Sequence, residues 1–286
     1  MHRTVFADAN SDYKNARYVI CGVPFDCTSC FRRGSRLAPQ EIRNNSYNFE
    51  TYNHLFDIDL KDVDIHDAGD LEVAQYVDDT LEMMSVHADK YVRDGKIPVM
   101  LGGEHSLTLP FIRACKTKYP DLACVVLDAH LDMREEYEGE RNSHACISRH
   151  IIEGVTGKYV SIGIRSGARV EYEYIKENKI RMFSADDVFS TGIESVVSEL
   201  RDYINGPVYL SIDMDAIDPA YAPALGTPEP YGLTPRDVRS VIACLAPYIV
   251  GFDLVEIAPA YDSGNTALLG AKLVRDFIAA NAKATI

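Results

Sequence analysis

The stretch "PVYLSIDMDAIDP", residues 207–219, joins an apolar run to a group of aspartates. Its first part is almost continuously apolar, which is typical of a parallel strand covered on both faces. Asp213, Asp215 and Asp218 then follow within six positions. Like charges that are crowded at a dry strand end cannot all stay ionised without cations beside them. The stretch therefore predicts a buried strand that ends at a charged site.

Seven further stretches have the same strand character, and helix-period segments alternate with them. The predicted strands are 18–25, 62–69, 97–103, 122–130, 158–165, 180–185, 207–215 and 249–257. One helical segment opens with Thr234 as N-cap, Pro235 at the first position and Asp237 completing a capping box. Such alternation predicts an α/β fold with a mainly parallel sheet and helices on both faces.

Composition narrows the class of protein. A chain of 286 residues with 47% hydrophobic content can bury the core of one large domain. A net charge of -14 argues against nucleic-acid and anionic-membrane partners, and suits either a cationic ligand or plain solubility. The seven cysteines are odd in number and mostly lie in apolar patterns, and the start of the chain has no export signal. We therefore expect a reducing, cytoplasmic location.

Polar side chains collect at the predicted carboxyl ends of the strands, where open parallel sheets bind their ligands. They are Glu104, His105, Asp128, His130, Asp132, Asp213, Asp215, Asp253 and Glu256. A single aspartate at such a place is more often a turn former or a helix cap than a ligand. Two aspartate clusters at once are poorly explained in that way.

The spacing of the polar residues within the two clusters indicates that the side chains of each cluster bind the same ligand. In extended backbone Asp128, His130 and Asp132 point to one side, while the two apolar residues between them point to the other. Asp213 and Asp215 repeat the alternation. Two imidazoles and four carboxylates without cysteine favour Mn²⁺ over Co²⁺, Ni²⁺ or Zn²⁺. Six ligands exceed one closed zinc site, so we predict a pair of ions that share carboxylates and generate a hydroxide nucleophile.

Four blocks carry a family resemblance: "LGGEHS", "LDAHLD", "SIDMDAIDP" and "FDLVEIAPAYD". In this order they resemble the signature blocks of the ureohydrolase superfamily, which includes arginases and agmatinases. The blocks "GVPFDCTSCFRRGSRLAPQEIR" and "SIGIRS" resemble further parts of that family. The resemblance implies a three-layer α/β/α sandwich around an eight-stranded sheet, assembled as homo-trimers or hexamers. We expect residues 1–286 to form one such domain, with residues 1–16 as an N-terminal arm.

The same resemblance implies roles for individual residues. It divides six ligands between two Mn²⁺ ions: His105, Asp128 and Asp132 for the first, His130 and Asp215 for the second, and Asp128 and Asp213 bridging both. A hydroxide between the metals is then expected to attack the guanidinium carbon of the substrate.

Three residues are implied in catalysis and substrate binding. Glu256 matches the family glutamate that pairs with guanidinium, and a carboxylate can do so through two parallel hydrogen bonds. His144 matches the family's proton-shuttle histidine, and Asp128 can relay a proton to the departing amine. The alternatives are a glutamate that caps a helix and an ordinary surface histidine.

Substrate choice depends on the loop "MREEYEGERNSHAC", residues 133–146, which lacks the Ser-Gly-Asn element of arginases. Glu135 and Glu136 in this loop would attract a distal amine, although a solvated loop explains them equally well. The "NSHA" segment resembles its agmatinase counterpart. The sequence therefore favours agmatine, cleaved to putrescine and urea.

Other functions stay open. A carboxylate-tailed substrate such as guanidinobutyrate or arginine would need a cation, for which Arg141, Arg149 and Arg165 are the residues to inspect. A guanidino-polyamine, or a metal-binding scaffold without catalysis, are further alternatives. At four positions the residue differs from the one usual in the family: Ala145, Leu225, Tyr231 and Cys30. These differences leave the metal ligands unchanged and bear on which amine tail the substrate carries. For Cys27 and Cys30 we expect a pocket-lining or packing role.

Overall fold

The computed structural model describes residues 5–285. Its strands are β1 Tyr18–Gly22, β2 Tyr52–Asn53, β3 Ile58–Asp59, β4 Ile65–Asp70, β5 Ile97–Leu101, β6 Ala123–Leu127, β7 Tyr159–Ile164, β8 Arg181–Ser184, β9 Val208–Asp213 and β10 Ile249–Val255. Its α-helices are α1 Ala38–Ser46, α2 Val77–Arg93, α3 Thr108–Lys118, α4 Ile147–Gly154, α5 Arg169–Asn178, α6 Ala185–Thr191, α7 Ile193–Tyr203, α8 Pro235–Leu245 and α9 Asn265–Lys283.

Eight strands form one parallel sheet in the order β4-β1-β5-β10-β9-β6-β7-β8. Each of the eight predicted strands is found in it, one to a few residues shorter than its apolar run. The strands β2 and β3 pair antiparallel in a separate ribbon that the sequence did not reveal. Two-residue strands are too short to show a period of alternation.

Helices cover both faces of the sheet, which confirms the predicted three-layer α/β/α sandwich. Along β1, Tyr18 and Ile20 face one hydrophobic cluster, and Val19 and Cys21 face the other. The first cluster includes residues of α1, α6, α7, α8 and α9, and the second includes residues of α2, α3, α4 and α5. Because successive side chains of a strand point to opposite faces, a continuously apolar strand serves both layers.

The predicted cap of α8 is also confirmed. The hydroxyl of Thr234 accepts the backbone N–H of Asp237, and the Asp237 carboxylate accepts the N–H of Thr234. Pro235 occupies the first helical position, where its missing N–H costs no hydrogen bond.

The segment expected to form an N-terminal arm is described from residue 5 onward, and residues 1–4 lie outside the described part. Phe6 is buried, and its N–H donates to Asp67 at 2.6 Å. Arg275 of α9 forms an ion pair with Asp8. From residue 5, the segment therefore packs against β4 and α9.

The four middle strands, β5, β10, β9 and β6, are neighbours in the sheet. Since all run parallel, their carboxyl ends meet at one edge. This arrangement brings together the four sequence blocks that carry the predicted site residues.

Candidate active site

The six predicted metal ligands lie at one place. His105 follows β5, three ligands follow β6, and Asp213 and Asp215 end or follow β9. Five of the six are buried: His105, Asp128, Asp132, Asp213 and Asp215. The side chain of His130 is 23% exposed.

Three carboxylates surround one ring nitrogen of His105. The distances from Nδ1 are 3.2 Å to Asp128 Oδ2, 3.4 Å to Asp132 Oδ2 and 3.3 Å to Asp213 Oδ2. Although burial opposes a charge on His105, these carboxylates raise its pKa well above the ordinary value. Burial, and next the charge of Asp128, raises the pKa of Asp132 to about 7. The group therefore carries more negative charge than its own residues balance.

The tautomer of His105 follows from its other neighbours. Tyr209 and Ser211 both donate to the buried Asp253 carboxylate, at 2.8 and 2.6 Å. Because the single proton of Ser211 is used in this way, its oxygen accepts Nε2–H of His105, 3.0 Å away. In the neutral ring, which is the form that can bind a metal, Nδ1 then carries a lone pair toward the carboxylates. Neither Nδ1 of His105 nor Oδ2 of Asp128 has a hydrogen-bond partner among the described residues.

Asp128 joins a second group of ligand atoms. Nδ1 of His130 lies 2.9 Å from Asp215 Oδ2 and 3.7 Å from Asp128 Oδ1. The two carboxylate oxygens of Asp128 thus face different groups. Oδ1 of Asp213 accepts the N–H of Asp215, so its Oδ2 is the oxygen that faces His105.

These two groups fit a pair of metal ions. The sets His105, Asp128, Asp132 and Asp128, His130, Asp215 each bring their ligand atoms within 4.8 Å of one another. Lone pairs of nitrogen and oxygen converge without a lysine or arginine ion pair to any of the four aspartates in residues 5–285. Such unmatched buried acceptors need cations, and a nitrogen and oxygen set without sulfur suits borderline to hard divalent ions.

Glu256 follows β10 at the edge of the same cluster. Its backbone is left-handed, with φ 64°, a conformation that costs a non-glycine residue about 1–3 kcal/mol. Oε1 accepts the N–H of His105 at 2.8 Å, and the residue is buried. Burial first, and Glu104 second, raise the pKa of Glu256 well above its ordinary value. A cationic group bound beside it would relieve this cost.

A cavity of about 340 Å³ opens over the cluster. The cluster residues His130, Asp132, Asp213 and Asp215 line it together with Glu256. Its other lining residues include Cys30, Arg134, Tyr137, His144, Ala145 and Glu171. The cavity is large enough for a small organic molecule.

His144 begins the turn before α4 and lines this cavity. Nδ1 lies 3.1 Å from the hydroxyl of Thr28 and 3.2 Å from that of Ser143, and Nε2 lies 3.7 Å from Cys30 Sγ. The ring of Tyr137 meets it edge-on at 5.9 Å. Burial, and next the cationic rings of the two ligand histidines, lower the pKa of His144 to about 4. The ring is therefore neutral at neutral pH.

The loop glutamates lie apart from the cavity lining. The side chain of Glu135 is 68% exposed and lies 3.7 Å from Arg141. Glu136 is also exposed. The loop residues that do line the cavity include Arg134 and Tyr137, which stack on one another at 5.1 Å.

The arginines considered for a carboxylate tail are also engaged elsewhere. Arg165 donates to backbone carbonyls, including those of Asp215 and Glu229. Arg149 pairs with Glu153 at 3.0 Å. The arginine that lines the cavity, Arg134, was not singled out from the sequence, because nothing in its spacing distinguishes it from its charged neighbours.

Several departures from the family pattern can now be located. Cys30 and Ala145 line the cavity, while Leu225 is buried and Tyr231 is 86% exposed with φ 68°. Cys27 is exposed on the surface, and all seven cysteines are free thiols.

Comparison with known proteins places this geometry in a family. The family model described as Arginase family matches residues 16–280. The chain belongs to the arginase family. This family comprises binuclear metal enzymes, and the paired ligand groups around Asp128 agree with that. The protein is therefore a metal-dependent ureohydrolase that acts on a guanidino group.

Individual arginase-family relatives resemble the chain over nearly its whole length. An agmatinase of Halalkalibacterium halodurans is 38% identical over 280 residues, which are 96% of this chain and 95% of the relative. A guanidinobutyrase of Pseudomonas aeruginosa is 34% identical, over 96% of this chain and 88% of the relative. The crystal structure of an agmatine ureohydrolase of Thermoplasma volcanium matches with a TM-score of 0.94 and 43% identity, over 99% of this chain and 96% of that one. No helix within residues 5–285 is both long and apolar enough to span a membrane.

Proposed function

We propose that this arginase-family protein hydrolyses agmatine to putrescine and urea, with two Mn²⁺ ions per subunit. The observation that carries the proposal is the common cavity of Glu256 and the ligand cluster, in which a buried carboxylate stands beside two groups of metal ligands. The agmatinase names of similar proteins support the choice of substrate.

Six side chains would hold the metals: His105, Asp128, His130, Asp132, Asp213 and Asp215. When bound, the ions neutralise the carboxylates and lower the pKa of a water molecule, so that a nucleophile is available near neutral pH. The buried Ser211–Asp253 pair holds the ring of His105, which keeps its Nδ1 lone pair directed at the cluster.

Glu256 would bind the guanidinium group. The carbon of guanidinium is a poor electrophile, so binding must both orient it and keep its charge matched. Since Oε1 of Glu256 is fixed by the N–H of His105, the carboxylate is held in place before substrate arrives. A planar guanidinium can then donate to this carboxylate.

Asp128 and His144 would move the proton. Attack of water on the guanidinium carbon forms a carbon–oxygen bond, and the bond to the alkylamine nitrogen then breaks. The departing amine needs a proton, and water supplies it. Asp128 can receive this proton inside the cluster, and the neutral ring of His144 can carry it at the cavity wall.

The lining of the cavity favours an amine tail over a carboxylate tail. Arg134 stacks on Tyr137, and its Nη2 lies 3.8 Å from Glu171, so its charge is already matched. Arg141, Arg149 and Arg165 do not line the cavity. A carboxylate would therefore find no unmatched arginine at the cavity lining within the described residues. The net charge of -14 further favours a cationic substrate.

Urea release tests the proposal. Purified protein reconstituted with Mn²⁺ should release urea from agmatine faster than from guanidinobutyrate, arginine or a guanidino-polyamine. Preference for guanidinobutyrate would contradict the proposed amine tail and would make Arg134 of the cavity lining the candidate for binding a carboxylate. No urea from any of these substrates, with metal bound, would indicate a non-catalytic scaffold.

Glu256→Gln is the variant that tests guanidinium binding. Loss of one partner of a buried charge pair costs about 2–5 kcal/mol, which is a fall of roughly 30- to 5,000-fold in kcat/KM. Metal content should stay as in the wild type, because Glu256 is outside both ligand groups. Normal activity in this variant would remove Glu256 from the site.

We also propose a cytoplasmic location and a homo-oligomer of three or six subunits. Seven free thiols support a reducing compartment. Light scattering of the purified protein tests the oligomer, since a mass near the 31.9 kDa of one chain would contradict it.

A further inference from the structure

We propose that Thr28 is a positioning residue that fixes the tautomer of His144. Held by the buried Glu104, the Thr28 hydroxyl accepts the Nδ1 proton of His144 and leaves Nε2 as the site that exchanges a proton with the reacting groups. The inference rests on the proposed function for the reaction that His144 serves, but the hydrogen-bond geometry stands without it.

The hydroxyl of Thr28 has three polar neighbours. Its oxygen lies 2.6 Å from Oε1 of Glu104 and 3.1 Å from Nδ1 of His144. It also accepts the backbone N–H of His144 at 3.0 Å. A hydroxyl has one proton and two lone pairs, so one lone pair is used and the proton can go to only one of the other two neighbours.

The surroundings of Glu104 decide where that proton goes. Oε2 accepts the backbone N–H groups of Thr28 and Ser29, at 2.7 and 3.2 Å. Oε1 accepts the hydroxyl of Ser106 at 2.6 Å and lies equally close to that of Thr28. Four donors match the acceptor positions of one carboxylate, and the amides cannot act as acceptors. The short contact therefore takes the proton of Thr28.

The remaining lone pair of Thr28 faces Nδ1 of His144. Two lone pairs 3.1 Å apart would repel, so Nδ1 carries the proton and donates it. The hydroxyl oxygen of Ser143, 3.2 Å away, can share this donor. Nε2 is then left with a lone pair, 3.7 Å from the thiol of Cys30 at the cavity wall.

The same arrangement, a hydroxyl held by a buried carboxylate, is found at His105 and at His144, but it binds a different ring nitrogen in each. At His105 a hydroxyl held by Asp253 binds Nε2–H and frees Nδ1. At His144 a hydroxyl held by Glu104 binds Nδ1–H and frees Nε2. In both cases a buried carboxylate fixes the direction of a hydroxyl, and the hydroxyl fixes the ring. The freed nitrogen faces the metal ligands in one case and the cavity in the other.

Kinetics of two variants test the inference. Thr28→Val keeps the shape of the side chain and removes the hydroxyl, while Thr28→Ser keeps the hydroxyl. General acid–base catalysis is worth about 10²–10⁴-fold. If Thr28→Val loses part of it, kcat should fall about 10- to 100-fold, with KM within about twofold and metal content unchanged. Thr28→Ser should recover most of kcat.

The tautomer itself can be read without turnover. Histidine labelled with ¹³C and ¹⁵N in the Zn²⁺-loaded protein gives ring signals in solid-state NMR that separate Nδ1–H from Nε2–H, and His144→Asn identifies the signals of His144. We expect Nδ1–H in the wild type and its loss in Thr28→Val. An Nε2–H form in the wild type overturns the inference even if the valine variant fails to fold. An unchanged tautomer in Thr28→Val overturns it as well.

The two proposals fail separately. Absence of urea release from agmatine by the wild type contradicts the proposed substrate, whereas the ring signals still decide the role of Thr28. Normal urea release together with an Nε2–H form contradicts only the positioning role.

Discussion

This protein has two clusters of buried carboxylates, and the two differ in the cation that matches their negative charge. In the first, Arg43 of α1 donates from Nε and Nη2 to Asp67 at 2.8 and 3.0 Å, and also contacts Asp70. In the second, the metal-ligand cluster, four aspartates face two histidines, and no lysine or arginine of residues 5–285 forms an ion pair with these aspartates. The arginine cluster contains its own cation, whereas the metal-ligand cluster must take one from solution.

This difference shows how a structural buried carboxylate can be distinguished from one that binds a ligand. Asp67 has both oxygens occupied by donors, so it needs nothing further. Oδ2 of Asp128 has no partner in the described part of the chain. An orphaned acceptor beside other carboxylates indicates a missing ligand, and a satisfied one indicates a structural role.

Loss of a carboxylate that is proposed to contact both metal ions should have the largest effect. Asp128→Asn removes a charge from both ligand groups, so we expect activity to fall more than about 10³-fold with a loss of bound metal. Asp213→Asn should do the same. Metal analysis by mass spectrometry, with urea release in parallel, checks both variants. Full manganese occupancy in either variant would contradict its role as a ligand.

Loss of the arginine from the arginine cluster should lower the stability of the protein, and added Mn²⁺ should not restore it. Arg43→Met leaves the buried Asp67 without its cation, which should lower the free energy of unfolding by about 3–5 kcal/mol. Lys283→Met is the matched control, because the Lys283–Asp57 pair is exposed and water screens its charges, so its loss should leave stability nearly unchanged. Denaturant unfolding with and without Mn²⁺ measures both. Recovery of Arg43→Met by metal would remove the distinction between the clusters.

A fall in pH should lower the free energy of unfolding, because His144 becomes protonated. Its pKa of about 4 in the folded chain lies below the ordinary 6.5, so the unfolded chain binds this proton at higher pH. The stability from neutral His144 is therefore present above pH 6.5 and is lost as the pH falls toward 4. Between these limits the wild type should lose up to about 2 kcal/mol more than His144→Asn, allowing for solvent screening at the half-buried ring. Parallel unfolding curves for the two proteins would contradict this.

The loop glutamates should show the smallest effect. Glu135 and Glu136 are exposed, and water screens their charge from the cavity. We expect Glu135→Gln with Glu136→Gln to raise KM for agmatine less than about threefold and to change stability by less than about 0.5 kcal/mol. Steady-state kinetics at low salt checks this. A tenfold rise in KM would show that these glutamates hold the amine.

Much of the candidate site could be predicted from local sequence. The strand-end position of "DAHLD" indicated its three polar side chains as ligands, and they meet in the structure. The extended alternation expected for them is not found, because β6 ends at Leu127 and Asp132 has φ 51°. Thr28, Ser211 and Arg134 were not found in this way. Thr28 and Ser211 each act through a neighbour that is distant along the chain, since Thr28 lies 116 positions from His144 and Ser211 lies 106 positions from His105. The periodicity of a short stretch of sequence carries no information about two residues that lie so far apart in the chain.

By itself the sequence determined the eight strands of the main sheet, the α8 cap and the residue types at the strand ends. These features depend on short-range rules, since alternation, apolar runs and capping act over a few residues. Only the tertiary structure decided which charges are matched and which histidine nitrogen is free. The sheet order β5-β10-β9-β6 places Ser211 beside His105, and the loop after β1 places Thr28 beside His144. Hydrogen-bond direction depends on every neighbour within about 3 Å, and those neighbours come together only when the sheet has formed.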